Sequence, residues 1–179
     1  MENHLLLNVI GIRLPAEKGF RMFEQRLRYA QIAPAAREAV MAVESYIQSC
    51  GLEKVLIELV KLRASQINQC AFCIDKHTKD ARRLGETPQR LDLVPAWHES
   101  PIYSPRERAA LAWAEALTRL SSDGAPDQVF DGLRANFSEK EIVDLTVLVG
   151  HINLLNRIGV GFRLQHPVTH PMRDEVSGA

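Results

Sequence analysis

The stretch SEKEIVDLTVLVGHINLLNRIGVGF, residues 138–162, decides the fold. It opens on Ser138 and, three residues on, Glu141. A serine side chain at the N-cap accepts the N3 amide while the N3 glutamate reaches back to the cap amide, a capping box that starts a helix. No proline follows inside the stretch, and Ile142, Leu145, Leu148, Val149, Ile152, Leu155 and Ile158 spread over several faces of a single helix. A helix that is apolar nearly all round is central in a bundle or covered by a second subunit. Its length would also suit a membrane span, but Asp144, His151, Asn153, Asn156 and Arg157 interrupt it, and such groups are costly in hydrocarbon.

Outward from this segment, helix punctuation recurs and strand alternation does not. SPRERAALAWAEALTRL (104–120) begins with Ser104, Pro105 and Glu107, a second capping box with proline at N1. A shorter helix is expected over PDQVFDGLRANF (126–137). Upstream, APAAREAVMAVESYIQSCG (33–51) has Pro34 near its first turn and Gly51 as a stop, and LEKVLIELVKLRAS (52–65) follows with helical spacing. CAFCIDKHTKDARRLG (70–85) stops at Gly85, and TPQRLDLV (87–94) restarts with Thr87 before Pro88. The short linkers are those of neighbouring helices in a bundle. The first ~30 residues and the proline-interrupted tail from Leu164 read as a peripheral arm and tail. The chain is expected to be one all-α, oligomeric domain spanning residues 1–179.

Composition excludes several classes. Lys+Arg and Asp+Glu are both 22, and no basic block or aromatic-studded basic stripe occurs, which disfavours nucleic acid or an anionic membrane as partner. The N-terminal apolar patch lacks a basic start and a small-residue cleavage site, so a cytoplasmic location is expected. With only 3 cysteines there is no disulfide framework, and a C-x-x-C in that compartment points to redox or metal chemistry.

That pair is Cys70 and Cys73, with His77 four residues later. At about 100° per residue the three fall within about 60° of one another. Ile74, Ala81 and Leu84 share their sector, and Asp75, Lys76, Lys79, Arg82 and Arg83 lie opposite. Phe72 falls among the charged residues, exposed or covered by another subunit. Asn68 is the expected N-cap, which places both cysteines in the first turns, where the helix dipole favours thiolate over thiol. Residues three apart are neighbours on a helix, so the pair can close a disulfide. His77 can reach the Cys73 sulfur, making Cys73 the better nucleophile and Cys70 the resolving thiol. Inert core cysteines and a metal site are the competing readings. Cys50, without a partner in sequence, fits the inert one. Structural zinc wants four ligands, commonly from two separated pairs, and no second C-x-x-C exists. On residues alone Glu58 reads as a solvated boundary carboxylate between Lys54 and Lys61. Trp97 and Trp113 read as packing residues, His98 as a turn residue, and His151, Asn153 and Asn156 as satisfied buried polar groups.

The ordered pattern Glu58-x₁₁-Cys70-x₂-Cys73-x₃-His77, with its flanking helices, resembles the signature of the alkylhydroperoxidase D-like group of the carboxymuconolactone decarboxylase family. The resemblance runs from about residue 20 to about 165. It implies an all-α fold assembled as a homotrimer or homohexamer, and reduction of organic hydroperoxides or H2O2 without metal or other cofactor. Carried over by position, Cys73 is peroxidatic, Cys70 resolving, and Glu58 with His77 a proton relay. The expected electron donor is a dithiol, a lipoyl group on a carrier protein or a thioredoxin-like protein. Some members carry a histidine between the cysteines where this chain has Phe72, so one relay component is absent unless His151 replaces it. The alternatives are a lactone decarboxylase-type lyase, whose chemistry needs no cysteine pair, and a non-catalytic redox-sensing oligomer.

Overall fold

The computed structural model describes residues 24–168, so most of the expected N-terminal arm and of the C-terminal tail lie outside the described residues. Among the described residues there is no strand. The helices are α1 (Tyr29–Ile32), α2 (Pro34–Ser49), α3 (Lys54–Ile67), α4 (Ala71–Arg83), α5 (Pro88–Leu93), α6 (Pro105–Thr118), α7 (Leu120–Asp123), α8 (Asp127–Arg134) and α9 (Glu139–Phe162), with a 3₁₀ turn Val94–Ala96 after α5. Both expected capping boxes form, Ser104 with Glu107 and Ser138 with Glu141. The expected helix 104–120 breaks after Thr118, and the short α1 has no counterpart in the sequence reading.

Helix α3 occupies the centre and packs on α4, α6 and α9. Its apolar residues point both ways. Leu56, Ile57 and Val60 join one core cluster with Trp113, Leu145 and Leu148, and Leu59 and Leu62 join another with Ala81, Val94 and Trp97. The long α9 is the expected core helix along one side, yet Val143 and Leu154 stay exposed on the other, and Val160 is exposed near its C-terminal end. Its mean hydropathy of 1.3 therefore reflects packing within the bundle on one face and an uncovered apolar stripe on the other.

Because α3 is surrounded, its polar residues are buried too, and burial of an unpaired charge is prohibitive. Glu58, Lys61, Arg63 and Ser65 each find a partner on a different element, whereas the Gln66 side-chain oxygen finds none. Glu58 meets His77 of α4 at 2.7 Å. Lys61, only 1% exposed, donates to both carboxylate oxygens of Glu44 on α2, at 2.7 and 2.9 Å. Arg63 donates to Glu115 of α6 at 2.7 Å, and the Trp97 indole N–H donates to the same oxygen at 2.8 Å. Ser65 accepts from Asn156 of α9 at 3.0 Å. Glu58 is therefore no solvated boundary carboxylate, and Lys54 and Lys61 are not its partners. Lys54 turns instead to the backbone carbonyl of Gln48.

These pairs make stability depend on acid. Burial pushes the Glu115 carboxyl up, but the Trp97 and Arg63 hydrogen bonds outweigh it and hold it below the ordinary value. For Glu44 burial is likewise outweighed, by contacts with His151 and Lys61. Glu141 is held at about 2 by Arg106 and the Ser138 amide. A carboxyl whose folded pKa is depressed contributes stability that is present above its unfolded pKa and lost as pH falls through the folded one. The melting temperature should therefore hold between neutral pH and about 4.5, then fall steadily toward pH 2. Glu115→Gln, leaving Arg63 buried without its counter-charge, should cost about 3 kcal/mol at pH 7 and shallow that fall, both read by thermal melts across pH.

Candidate active site

The site begins where α3 ends. Asn68 caps α3, Gln69 takes a left-handed conformation (φ 54°), and the Cys70 amide donates back to the Ser65 carbonyl at 3.0 Å. With the Gln69 amide on the Gln66 carbonyl at 3.2 Å, this is a Schellman closure. It delivers Cys70, the residue after the left-handed one, directly as the N-cap of α4. The expected start is thus corrected by two residues: Asn68 belongs to the end of α3, because the reversal needs only one left-handed residue between the helices.

Asn68 has a different task. Its amide donates to the side-chain oxygens of Asn153 and Asn156, both at 2.9 Å, and Asn153 donates on to Thr118 at 3.0 Å. Three asparagines and Ser65 thereby lock the α3–α4 reversal onto α9. The expectation that Asn153 and Asn156 are satisfied buried groups holds, and the structure supplies the reason.

The reversal sets Cys70 and Cys73 on one face of the first turn of α4, 5.3 Å apart at Cα and joined as a disulfide. Both are buried, as is His77 one turn on. Leu84, expected in the same sector, is instead 46% exposed because α4 has ended at Arg83. The His77 ring turns its Nδ1 to Glu58, and the direct hydrogen bond to the Cys73 sulfur that the spacing permits is not made in this disulfide form. The four residues of the sequence pattern therefore form two pairs, the joined sulfurs and the imidazole fixed by a buried carboxylate, and Cys73 and His77 line one cavity.

Two cavities meet at the disulfide. One, of about 350 Å³, is lined by Cys73 and His77, by Glu44 and Lys61, and by apolar side chains including Ile152 and Leu155. The other, of about 290 Å³ and more polar, is lined by Cys70, Gly159 and Gln69 among others. Phe72, half-buried, borders both. A larger hollow of about 580 Å³ between α8 and α9 contains no residue of this group.

Sequence reasoning missed Glu44 and Lys61 as residues of the Cys73 cavity. One signal existed: Lys61 is three residues after Glu58, on the same face of α3, inside an apolar run. His151 is buried as expected but is not the satisfied group the sequence suggests: neither ring nitrogen makes a hydrogen bond, and its Nε2 lies 3.0 Å from Glu44 Oε2, in ion-pair range but out of hydrogen-bond alignment. It braces Glu44 rather than the sulfurs. Glu58, His77 and Asp80 bring three donor atoms within 4.8 Å of one another, the only such candidate metal group among the described residues. Asp80 is already held by Lys76 and Arg83, and neither cysteine belongs to the group. Cys50 stands apart, half-buried, its thiol on the Ile47 carbonyl. Trp97 and Trp113 are buried as expected, and His98 stacks on Trp97 with ring centroids 3.6 Å apart.

Comparison with known proteins identifies the family and the fold. The profile of the carboxymuconolactone decarboxylase family matches residues 34–116. The uncharacterized protein YdfG of Bacillus subtilis is 42% identical over 136 residues, which are 76% of this chain and 92% of that protein. The uncharacterized protein YnjA of Escherichia coli is 37% identical over 107 residues, 59% of this chain and 58% of its own length. A crystal structure from Agrobacterium tumefaciens, of a protein of unknown function provisionally described as the antioxidant defence protein AhpD, has a TM-score of 0.79 at 53% identity. The match covers 81% of this chain and 99% of that one. The chain belongs to the carboxymuconolactone decarboxylase family, with the all-α fold of its alkylhydroperoxidase D-like branch.

The asparagine lock is directly testable. Asn68→Ala removes the donor shared by Asn153 and Asn156 and should destabilise the chain by about 1–3 kcal/mol, measured by urea unfolding.

Proposed function

We propose that this chain is a thiol-dependent peroxidase that cycles Cys70 and Cys73 between dithiol and disulfide. The observation that carries this reading is the buried Glu58–His77 contact at 2.7 Å on the wall of the cavity that Cys73 also lines. A carboxylate bonded to Nδ1 orients the imidazole and leaves Nε2 to exchange a proton. Family membership and the 53%-identical relative described in terms of antioxidant defence support the same chemistry.

In the reduced state the Cys73 thiol gives its proton to His77, whose positive charge Glu58 offsets. The α4 N-terminus adds a field that favours the thiolate. The thiolate attacks the terminal oxygen of a hydroperoxide, the O–O bond breaks, and the departing alkoxide takes the proton from His77 as an alcohol. Cys73 is left as a sulfenic acid. The Cys70 sulfur then attacks the Cys73 sulfur, water leaves, and the disulfide forms. The pair has supplied the two electrons that reduced the peroxide. A dithiol donor returns them by exchange and ends as its own disulfide. A lipoyl group on a carrier or a thioredoxin-like protein is the donor class. The mostly apolar wall of the Cys73 cavity suits an organic hydroperoxide, and the exposed Val143, Leu154 and Val160 on α9 suit packing against further copies of the chain, as a trimer or hexamer. A reducing cytoplasm would keep such a pair supplied with electrons.

Free-thiol titration before and after one equivalent of cumene hydroperoxide tests the reading. Of the 3 cysteines, Cys70 and Cys73 should be lost rapidly and restored by dihydrolipoamide, while Cys50 persists. Cys73→Ser should abolish peroxide turnover. Glu58→Gln should slow it by about 10²–10⁴-fold, the usual contribution of a positioned acid–base group. Retention of all thiols in the parent chain would refute a peroxidase role, and lactone turnover surviving in Cys73→Ser would point to the lyase reading.

A further inference from the structure

Helix α9 contains Gly150, Gly159 and Gly161, and a glycine inside a helix costs about 1 kcal/mol relative to alanine. A Cβ at Gly150 or Gly161 would meet nothing within 4 Å. At Gly159 it would lie 2.7 Å from Cys70 Sγ and 3.5 Å from Cys73 Sγ, with no other neighbour in that range. Ordinary contacts between such atoms begin near 3.5 Å, so the second distance is normal and the first is a collision. Gly159 is itself buried, in the last turns of α9 where that helix crosses the start of α4.

We propose that Gly159 is a positioning residue for the redox pair: its missing side chain is the space the Cys70 sulfur occupies in the disulfide, and this biases the pair toward the disulfide state. The inference rests on the reading of Cys70 and Cys73 as a cycling dithiol. The bias is selective for one redox state for a simple reason. In the disulfide, Cys70 Sγ is tethered through Cys73 and cannot rotate away. As a free thiol it can turn about χ1 to another staggered well. A methyl group at 159 therefore raises the energy of the disulfide and leaves the dithiol nearly untouched. Gly159 also lines the cavity on the Cys70 side, so a methyl there would narrow access to that sulfur as well. Access alters rates, whereas the bias alters an equilibrium, and the two are measured separately.

The equilibrium is the exchange of protein dithiol with oxidised dithiothreitol. The Cys70–Cys73 bond forms, the dithiothreitol disulfide opens, and two electrons and two protons pass from protein to reagent. The full chain, Gly159→Ala, Gly150→Ala and Gly161→Ala are each poised in mixtures of oxidised and reduced dithiothreitol, quenched with an alkylating reagent and counted by mass. Gly159→Ala should shift the constant about tenfold toward the dithiol, about 30 mV less negative, with the two control variants within about twofold of the parent. A parent chain that forms no disulfide in any mixture would defeat the redox reading itself, and this inference with it. A parent that cycles normally alongside a Gly159→Ala variant within about twofold of it would overturn this inference alone.

Should Gly159→Ala fold poorly, the sulfur that collides can be removed. In a Cys70→Ala background the added methyl has only Cys73 Sγ nearby, at an ordinary distance, so Gly159→Ala should there leave the melting temperature equal or higher. If it destabilises that background as much as the parent, the space serves something other than the sulfur and the inference fails.

Discussion

Everything in this bundle follows from a central helix that carries charge. Residues Glu58, Lys61, Arg63 and Ser65 lie within eight positions of α3, all of them buried. An uncompensated ion in a protein interior costs several kcal/mol, so each of these side chains constrains the element that must answer it. Glu58 fixes α4 through His77, Lys61 fixes α2 through Glu44, Arg63 fixes α6 through Glu115, and Ser65 fixes α9 through Asn156. Apolar packing would hold α3 among these neighbours but tolerate rotation or sliding. The polar contacts are directional, and together they leave one arrangement. The site's geometry is a product of that arrangement, since the carboxylate that orients His77 is one of the four.

Much of this was legible from residue order. Capping boxes at Ser104 and Ser138 are local chemistry, closed within four residues, and the helices start where they say. The common face of Cys70, Cys73 and His77 follows from helical periodicity. The grouping of Glu58 with them came from the fixed spacing of a family pattern and not from its own surroundings, which suggested a surface carboxylate. Periodicity says which way a side chain points, but not what stands opposite it, and Glu58 is buried only because α4 lies across that face.

Where the reading failed, the cause is specific. Asn68 reads as the N-cap of α4 because asparagine is a strong N-cap, and a left-handed helix end is usually marked by glycine. Here Gln69 takes the left-handed position, so the usual marker is missing. Glu44 and Lys61 as cavity residues depend on α2 meeting α3, a tertiary contact between residues 17 positions apart that no local pattern encodes.

Gln69 carries a further implication for how this chain can drift. A non-glycine residue there bears about 1–2 kcal/mol of left-handed strain. Glycine would relieve it, but glycine also enlarges the unfolded ensemble, returning about 0.4–1 kcal/mol of that gain. The second cancels only about half of the first, so glycine would still be the more stable choice at this position. What Gln69 contributes instead is an exposed amide on the rim of the Cys70 cavity. The rim beside Cys70 thus carries a polar side chain at the expense of backbone strain, and a change at Gln69 exchanges stability against what that rim presents to solvent.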